Sequence, residues 1–437
     1  MTLCKIFPDW GSQSASMSSE HLDEKASVES APIAQDDQSI PNGGIVAWLQ
    51  VLGSFFMLFN VSGIINSFGV FQSYYEDDVL KNENPSRIAW IGSFQACLIL
   101  FVGALTGPLF DMGYFRYMLA IGTFMGVLSL MMTSLCREYW QFMLGQSLCM
   151  GLGGACLFVP GLAITSTYFS SKRSLAVGIA ASGSSSGAVV YSIMFHRLVS
   201  RIGFPWTVRA MGFMALGLLI ISNVVMRPRI APSHRRSLFI WQAFKEPAYC
   251  IYMLGIFLGY TGVYIPFFHV TSYALRRTSA GPSLSFYLVA ILNGASIFGR
   301  ILPSFLADKI GPFNTIIILA FCSTVLAFGW MGIQSLGGII IFAILYGFMT
   351  GGYVALPAPC ITSITANLHE VGSRVGMCFL FAGIGMLIGS PIAGALVNLK
   401  EASFWKAQLC CAMLLVGSTS CFVLTRICLS RNPLARK

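Results

Sequence analysis

Residues 168–187 read YFSSKRSLAVGIAASGSSSG, a short polar turn with Lys172 and Arg173 that opens into an uncharged run with glycine at 178, 183 and 187. One apolar run, near 141–169, leads into this turn and another, near 175–198, leaves it. Each is long enough to cross a hydrocarbon core of about 30 Å as a helix. Gly178, Gly183 and Gly187, with Ala180 and Ala181, would let the second helix press its backbone against a neighbour, as small residues do between helices in lipid. Two spans joined by a basic turn set the pattern sought in the rest of the chain.

Composition requires the same solvent. Of 437 residues only 10% are charged, against roughly a quarter in soluble domains. The hydrophobic set is 55% before the 44 glycines are added, more apolar surface than a water-soluble fold could bury. The net charge of +10 is scattered over short loops and forms no basic face, so nucleic acid is not an expected partner. The 13 cysteines lie mostly in apolar runs without a CxxC pair or a histidine at ligand spacing, which reads as structural thiols and predicts no metal or cofactor. The opening MTLCKIFPDWGSQSASMSSE lacks a basic segment followed by an apolar one and is not a signal peptide. Residues 1–44 read as a disordered, acidic, Ser-rich cytosolic tail. Asn60-Val61-Ser62, the glycosylation match, falls inside a hydrophobic run.

Apolar stretches fall near 45–71, 88–109, 117–135, 141–169, 175–198 and 207–226. After the polar segment RPRIAPSHRRSLFIWQAFKEP, six more lie near 248–270, 284–306, 314–332, 338–366, 375–397 and 405–426. Continuous runs without period-2 alternation exclude barrel strands, so the expected fold is an all-α integral membrane protein of twelve transmembrane helices. The expected organisation is a six-helix bundle at 45–226, a cytosolic loop at 227–247, a second six-helix bundle at 248–426 and a cytosolic tail at 427–437. With both termini cytosolic, 17 of the 27 basic residues fall on the inside, which favours that orientation. No Asp or Glu falls within any expected span.

The halves repeat. Placing Val159-Pro160 on Leu356-Pro357 fixes an offset of 197, and the same offset carries Asp111 of GPLFDMGYFR onto Asp308 of SFLADKIGPFN. Halves repeated in one orientation imply an axis along the membrane normal and a cavity between them. Each aspartate sits in a glycine-containing turn with a basic residue nearby, Arg116 in the first copy and Lys309 in the second. Such a turn can hold a carboxylate against a helix N-terminus and a cation of the other half, closing the cytosolic side. The expected contacts are Asp111 with Arg374, and Asp308 with Lys172 and Arg173.

These turns resemble the Gly-x-x-x-Asp-Arg-x-Gly-Arg-Arg signature of the major facilitator superfamily, although Met112 follows Asp111 where that signature has a basic residue. Three stretches are similar to its monocarboxylate porter family: PNGGIVAW (41–48), the opening stretch 168–187, and NGASIFGRILPSFLADKIG (293–311), which resembles the eighth helix of fungal members. The resemblance implies two pseudo-symmetric six-helix bundles and secondary active or facilitative transport of a small organic anion or amphipathic metabolite by alternating access, including export of fungal secondary metabolites. It also implies that Arg300 binds a substrate carboxylate, a role that suits a two-pronged guanidinium. As an isolated charge in its helix, Arg300 must face water or a partner, or snorkel to the headgroups.

Animal proton-coupled members carry a Lys and an Asp where this chain has Asn66 and Ser296, so their proton relay cannot be carried over. If a proton is a partner, another group must carry it, and His196 and His269 at the outer helix ends could titrate near neutral pH. The expected substrate set is Arg300, Asn66, Ser296, Asn293 and Ser62, with Asn60, Gln95, Tyr191 and Tyr264 as further candidates to line the cavity. Pro160 and Pro357 would bend helices four and ten around it. The plasma membrane is the expected location, an internal membrane the alternative. A non-transporting nutrient receptor on the same fold is the rival reading, and the short tails argue against it. An enzyme would need a catalytic cluster at membrane depth, which spans without carboxylates do not supply.

Overall fold

The structure, a computed structural model, describes residues 43–169, 173–228, 239–278, 281–365, 370–398 and 401–430. Nearly all of the expected tails, much of the central loop, and Lys172 lie outside the described residues, as do the side chains of Asp111 and Arg173.

Among the described residues eleven continuous stretches are long and apolar enough to cross a membrane. One of them, Leu175–Val225, has 51 residues, which as a straight helix would be about 76 Å long and more than twice the hydrocarbon thickness. It breaks at Gly203, where φ is 75° and ψ is 166°. Glycine adopts that backbone freely, and Pro205 then restarts the helix. The stretch is therefore two spans, and the total is twelve: α1 (Gly44–Val79), α2 (Pro85–Phe110), α3 (Phe115–Thr133), α4 (Tyr139–Thr165), α5 (173–202), α6 (204–225), α7 (Pro247–Arg277), α8 (Leu284–Ile310), α9 (Pro312–Trp330), α10 (Leu336–Ile364), α11 (Val371–Leu396) and α12 (Trp405–Leu429). The side on which α1 begins and α12 ends is the terminal face, and the opposite side is the far face.

In the first half α1 packs on α4, α5 and α6, and α4 also packs on α2 and α3. In the second, α7 packs on α11 and α12, α8 on α10, and α9 on α12. Gly183 and Gly187 lie where a Cβ would collide with the carbonyl oxygens of Phe55 and Phe59, and Gly389 lies on the Thr261 carbonyl in the same way. Gly178 differs from the packing expectation, because the space beside it is open and forms part of a cavity. Pro160 lies inside an unbroken helix, whereas Pro357 follows a break at Leu356.

Each half is tied at its far end by an aromatic cluster. Tyr74 stacks on Phe204 at 5.5 Å, Phe71 meets Phe195 at 4.5 Å, and Tyr75 meets Phe142 at 4.6 Å. Across the axis Tyr273 meets Trp330 at 5.4 Å and Phe404 at 5.3 Å, and Trp330 stacks on Phe342 at 5.5 Å.

One expectation about the spans is corrected. The first span continues beyond residue 71 through a π-helical turn, Tyr75–Val79, and that turn buries Glu76. The polar look of QSYYEDD hides this continuation, which is held by packing of the α1 end against the α7 end and not by apolar character.

Candidate substrate cavity

Toward the far face the halves are in contact. Ser272 Oγ donates to Glu76 Oε2 at 2.8 Å, Gln72 Nε2 donates to Glu76 Oε1 at 3.0 Å and lies 3.3 Å from His269 Nδ1, and Arg276 pairs with Asp77 at 2.9 Å. Nearer the middle, Asn293 Nδ2 donates to Asn66 O at 3.2 Å and Ser185 Oγ to Ser296 Oγ at 3.2 Å. Ser86 Oγ donates to Pro391 O at 2.8 Å, which joins α2 to α11.

Toward the terminal face the halves separate and leave a cavity of about 1110 Å³. Ser62 and Asn66 of α1, Phe158 of α4, Tyr260 and Tyr264 of α7, Arg300 and Ser304 of α8, and Phe379 of α11 line it. Gly113 in the turn before α3, and Pro312 and Val371 at the starts of α9 and α11, line it on the terminal side. One side is sealed by direct contacts and the other is open.

Arg300 is 8% exposed. Its Nη1 reaches only Ala181 O, at 3.5 Å, and its Nε has no partner. Among the described residues no carboxylate pairs with it. A guanidinium with unused N–H groups at the wall of a mostly apolar chamber has the chemistry to donate to an anion placed there.

The other expected substrate residues divide. Ser62 and Asn66 line the cavity with Arg300. Ser296 and Asn293 do not: they are 1% and 0% exposed and spend their hydrogen bonds on the seam between α8 and the first half. They share a helix face with Arg300 but lie one and two turns nearer the far side, where α8 meets α5 and α1. Asn60 and Tyr191 are likewise buried against each other, with Tyr191 Oη donating to Asn60 Oδ1 at 2.5 Å, and Gln95 is buried without side-chain partners.

Of the expected gate residues, Arg374, Arg116, Asp308 and Lys309 are described, while Lys172 and the side chains of Asp111 and Arg173 lie outside the described residues. Arg374 is held by its own half: Nη1 and Nη2 donate to the two oxygens of Glu246 at 2.8 and 2.7 Å, and Nη2 and Nε donate to Glu370 at 3.1 and 3.2 Å. Arg116 donates to Asn223 O at 2.7 Å, at the end of α6, where a cation complements the helix dipole. Lys309 lies 4.7 Å from the Phe305 ring, and Asp308 lines the cavity. Sequence reasoning missed Glu76, Glu246 and Glu370. For Glu76 the available signal was the i, i+4 pair Gln72 and Glu76 facing a second polar pair, His269 and Ser272, at nearly the repeat offset.

Twelve membrane-spanning helices in two halves around a chamber open on one side define a multi-pass membrane transporter. The chain belongs to the Major Facilitator Superfamily, whose sequence model matches residues 44–390. It is 42% identical over 364 residues to the MFS-type transporter dbaD of Emericella nidulans, covering 83% of this chain and 82% of that one. It is 35% identical to the aspyridones efflux protein apdF of Emericella nidulans, with 91% of this chain and 81% of the relative covered, and 37% identical to the fujikurins efflux protein of Gibberella fujikuroi, with 83% and 78% covered. Among solved structures the nucleoside transporter NupG superposes with a TM-score of 0.67 at 13% identity, over 87% of this chain and 99% of that one. FucP in its outward conformation gives 0.61 at 14% identity, over 87% and 98%. At such identities these two likenesses speak to the fold alone.

Proposed function

We propose that the chain exports a partly apolar organic anion by alternating access, as a relative of the monocarboxylate porters. The observation that carries this reading is Arg300: a buried cation without a carboxylate partner among the described residues, in a cavity walled by Phe158, Phe379, Tyr260 and Tyr264. The efflux proteins among the relatives support the direction, and the stretch 168–187 supports the subfamily. In this reading both termini are cytosolic, the membrane is the plasma membrane, and the chamber faces the cytosol. The halves 45–226 and 248–426, joined by the loop 227–247, rock against each other, so that the far-face seam parts as the terminal face closes. Asp111 with Arg374, and Asp308 with Lys172 and Arg173, then close the terminal face in the opposite state.

The test uses the full chain in lipid nanodiscs and a panel of aryl and long-chain carboxylates, each beside its primary amide. A carboxylate present at a hundredfold excess over its Kd stabilises the folded state by about 2.7 kcal/mol, visible as a rise in Tm. The rise is expected for carboxylates, not for amides, and is lost in Arg300→Ala. Equal rises for acid and amide would overturn the anion assignment.

A further inference from the structure

Three charged side chains are buried among the described residues: Arg374, Arg300 and Glu76. Arg374 has its carboxylates and Arg300 faces the chamber. Glu76 lies elsewhere, in the sealed seam at the far face, and no cation is within ion-pair distance of it. Each of its oxygens accepts one hydrogen bond from a neutral donor, Gln72 of its own helix and Ser272 of the other half. The charges bearing on it are Asp77 beside it and Arg276 on α7, and these two pair with each other. His269 on α7 touches Gln72, not the carboxylate. The position in the second half that corresponds to Glu76 at the repeat offset is Tyr273, so only one side of the seam contributes a carboxyl group.

We propose that Glu76 is a proton-binding latch of the far gate. Opening the far side must separate Ser272 from Glu76 and Gln72 from His269, because these contacts join α1 to α7. Once they part, the carboxylate meets far-face water and exchanges a proton with it. Closing returns the group to a seam without a counter-ion, where its charged and neutral forms differ greatly in free energy. The proton concentration on the far side therefore enters the open–closed equilibrium through this one group. The latch acts on the gate whatever the chamber carries, so it stands or falls independently of the cargo.

The experiment places spectroscopic labels on unnatural amino acids at residues 137 and 334, exposed positions in the far-face loops of the two halves, in the full chain in nanodiscs. Inter-label distances are recorded from mildly acidic to mildly alkaline buffer. In the wild type the fraction with separated far faces should change with pH. Glu76→Gln, which keeps shape and hydrogen bonding, should abolish that change. Ser272→Ala should raise the separated fraction at every pH by several-fold and keep the pH dependence, and His269→Gln should also keep it. A wild type indifferent to pH would overturn the proposal. So would pH dependence that survives Glu76→Gln, or that disappears with His269→Gln in its place.

Discussion

Gln72 and His269 stand 197 positions apart in the chain and 3.3 Å apart in space, and 197 is the offset on which the two halves repeat. A residue touches its own symmetry mate only beside the axis that relates them. The axis therefore passes through this polar contact at the far-face seam. The turns that interrupt α1 at Ser67 and α7 at Tyr264 are related by the same offset. The seam thus forms where both helices have just changed direction.

Arg300→Lys keeps the charge and removes the planar fork. Transport of the anion should fall by at least tenfold, from the loss of about 1.5–3 kcal/mol of charge-assisted hydrogen bonding, while the protein stays folded. Flux assays in proteoliposomes read this directly, and unchanged kinetics would remove Arg300 from the binding site.

Gly187→Ala and Gly178→Ala should act in opposite senses. At 187 the added methyl meets the Phe59 carbonyl and must push α5 from α1, an overpacking cost of about 1–3 kcal/mol. At 178 the space is open and alanine improves helix propensity by up to about 1 kcal/mol. Thermal unfolding of the two variants gives the comparison, and equal Tm values would contradict the packing described for α1 and α5.

Glu246→Gln weakens the hold on Arg374 in the state with an open terminal face. Glu246 is 46% exposed, so solvent screening limits the effect to about 1 kcal/mol, roughly fivefold in population. If Arg374 exchanges Glu246 for Asp111 as the gate closes, the fraction with separated far faces should rise in the label-distance measurement. A fall would show that Arg374 serves only to join α7 to α11.

Cys136 lies in the far-face loop between α3 and α4, and burial pushes its thiol up to about 11. The thiolate is the reactive form, so the raised value keeps the group protonated and slow at pH 8. Its maleimide labelling rate should climb steadily with pH up to about 11 and level off above it. A plateau near pH 8.5 would mean that the loop leaves the thiol in water.

The twelve spans were legible because lipid imposes long apolar runs, and because Asp111 and Asp308, Pro160 and Pro357 mark the repeat. Arg300 was legible because it stands out as a charge in an apolar helix. Glu76 was not, since its burial depends on α7, some 200 residues away, meeting a stretch that looks like a loop. The place of Ser296 and Asn293 was not legible for a related reason: they share one stripe of the eighth helix with Arg300 and Ser304, and the sequence does not tell at what depth along it the halves meet and the chamber begins. Glu246 and Glu370 lie at helix starts, where an acidic residue has reason enough to be present as a partner of the dipole.

The aromatic clusters of Tyr75 and Tyr273 and the polar contacts of Gln72, Glu76 and Asp77 occupy the same depth, yet they respond to water differently. Water can replace each hydrogen bond of the seam with one of its own, so these contacts add little to the cost of parting the halves, and the Phe68–Phe268 ring contact at 5.0 Å is the apolar exception that crosses with them. Water offers nothing equivalent to stacked rings, so each half resists splaying. The far end is built as two stiff jaws that meet along a largely wettable line, and the solvent itself acts as the lubricant of the stroke.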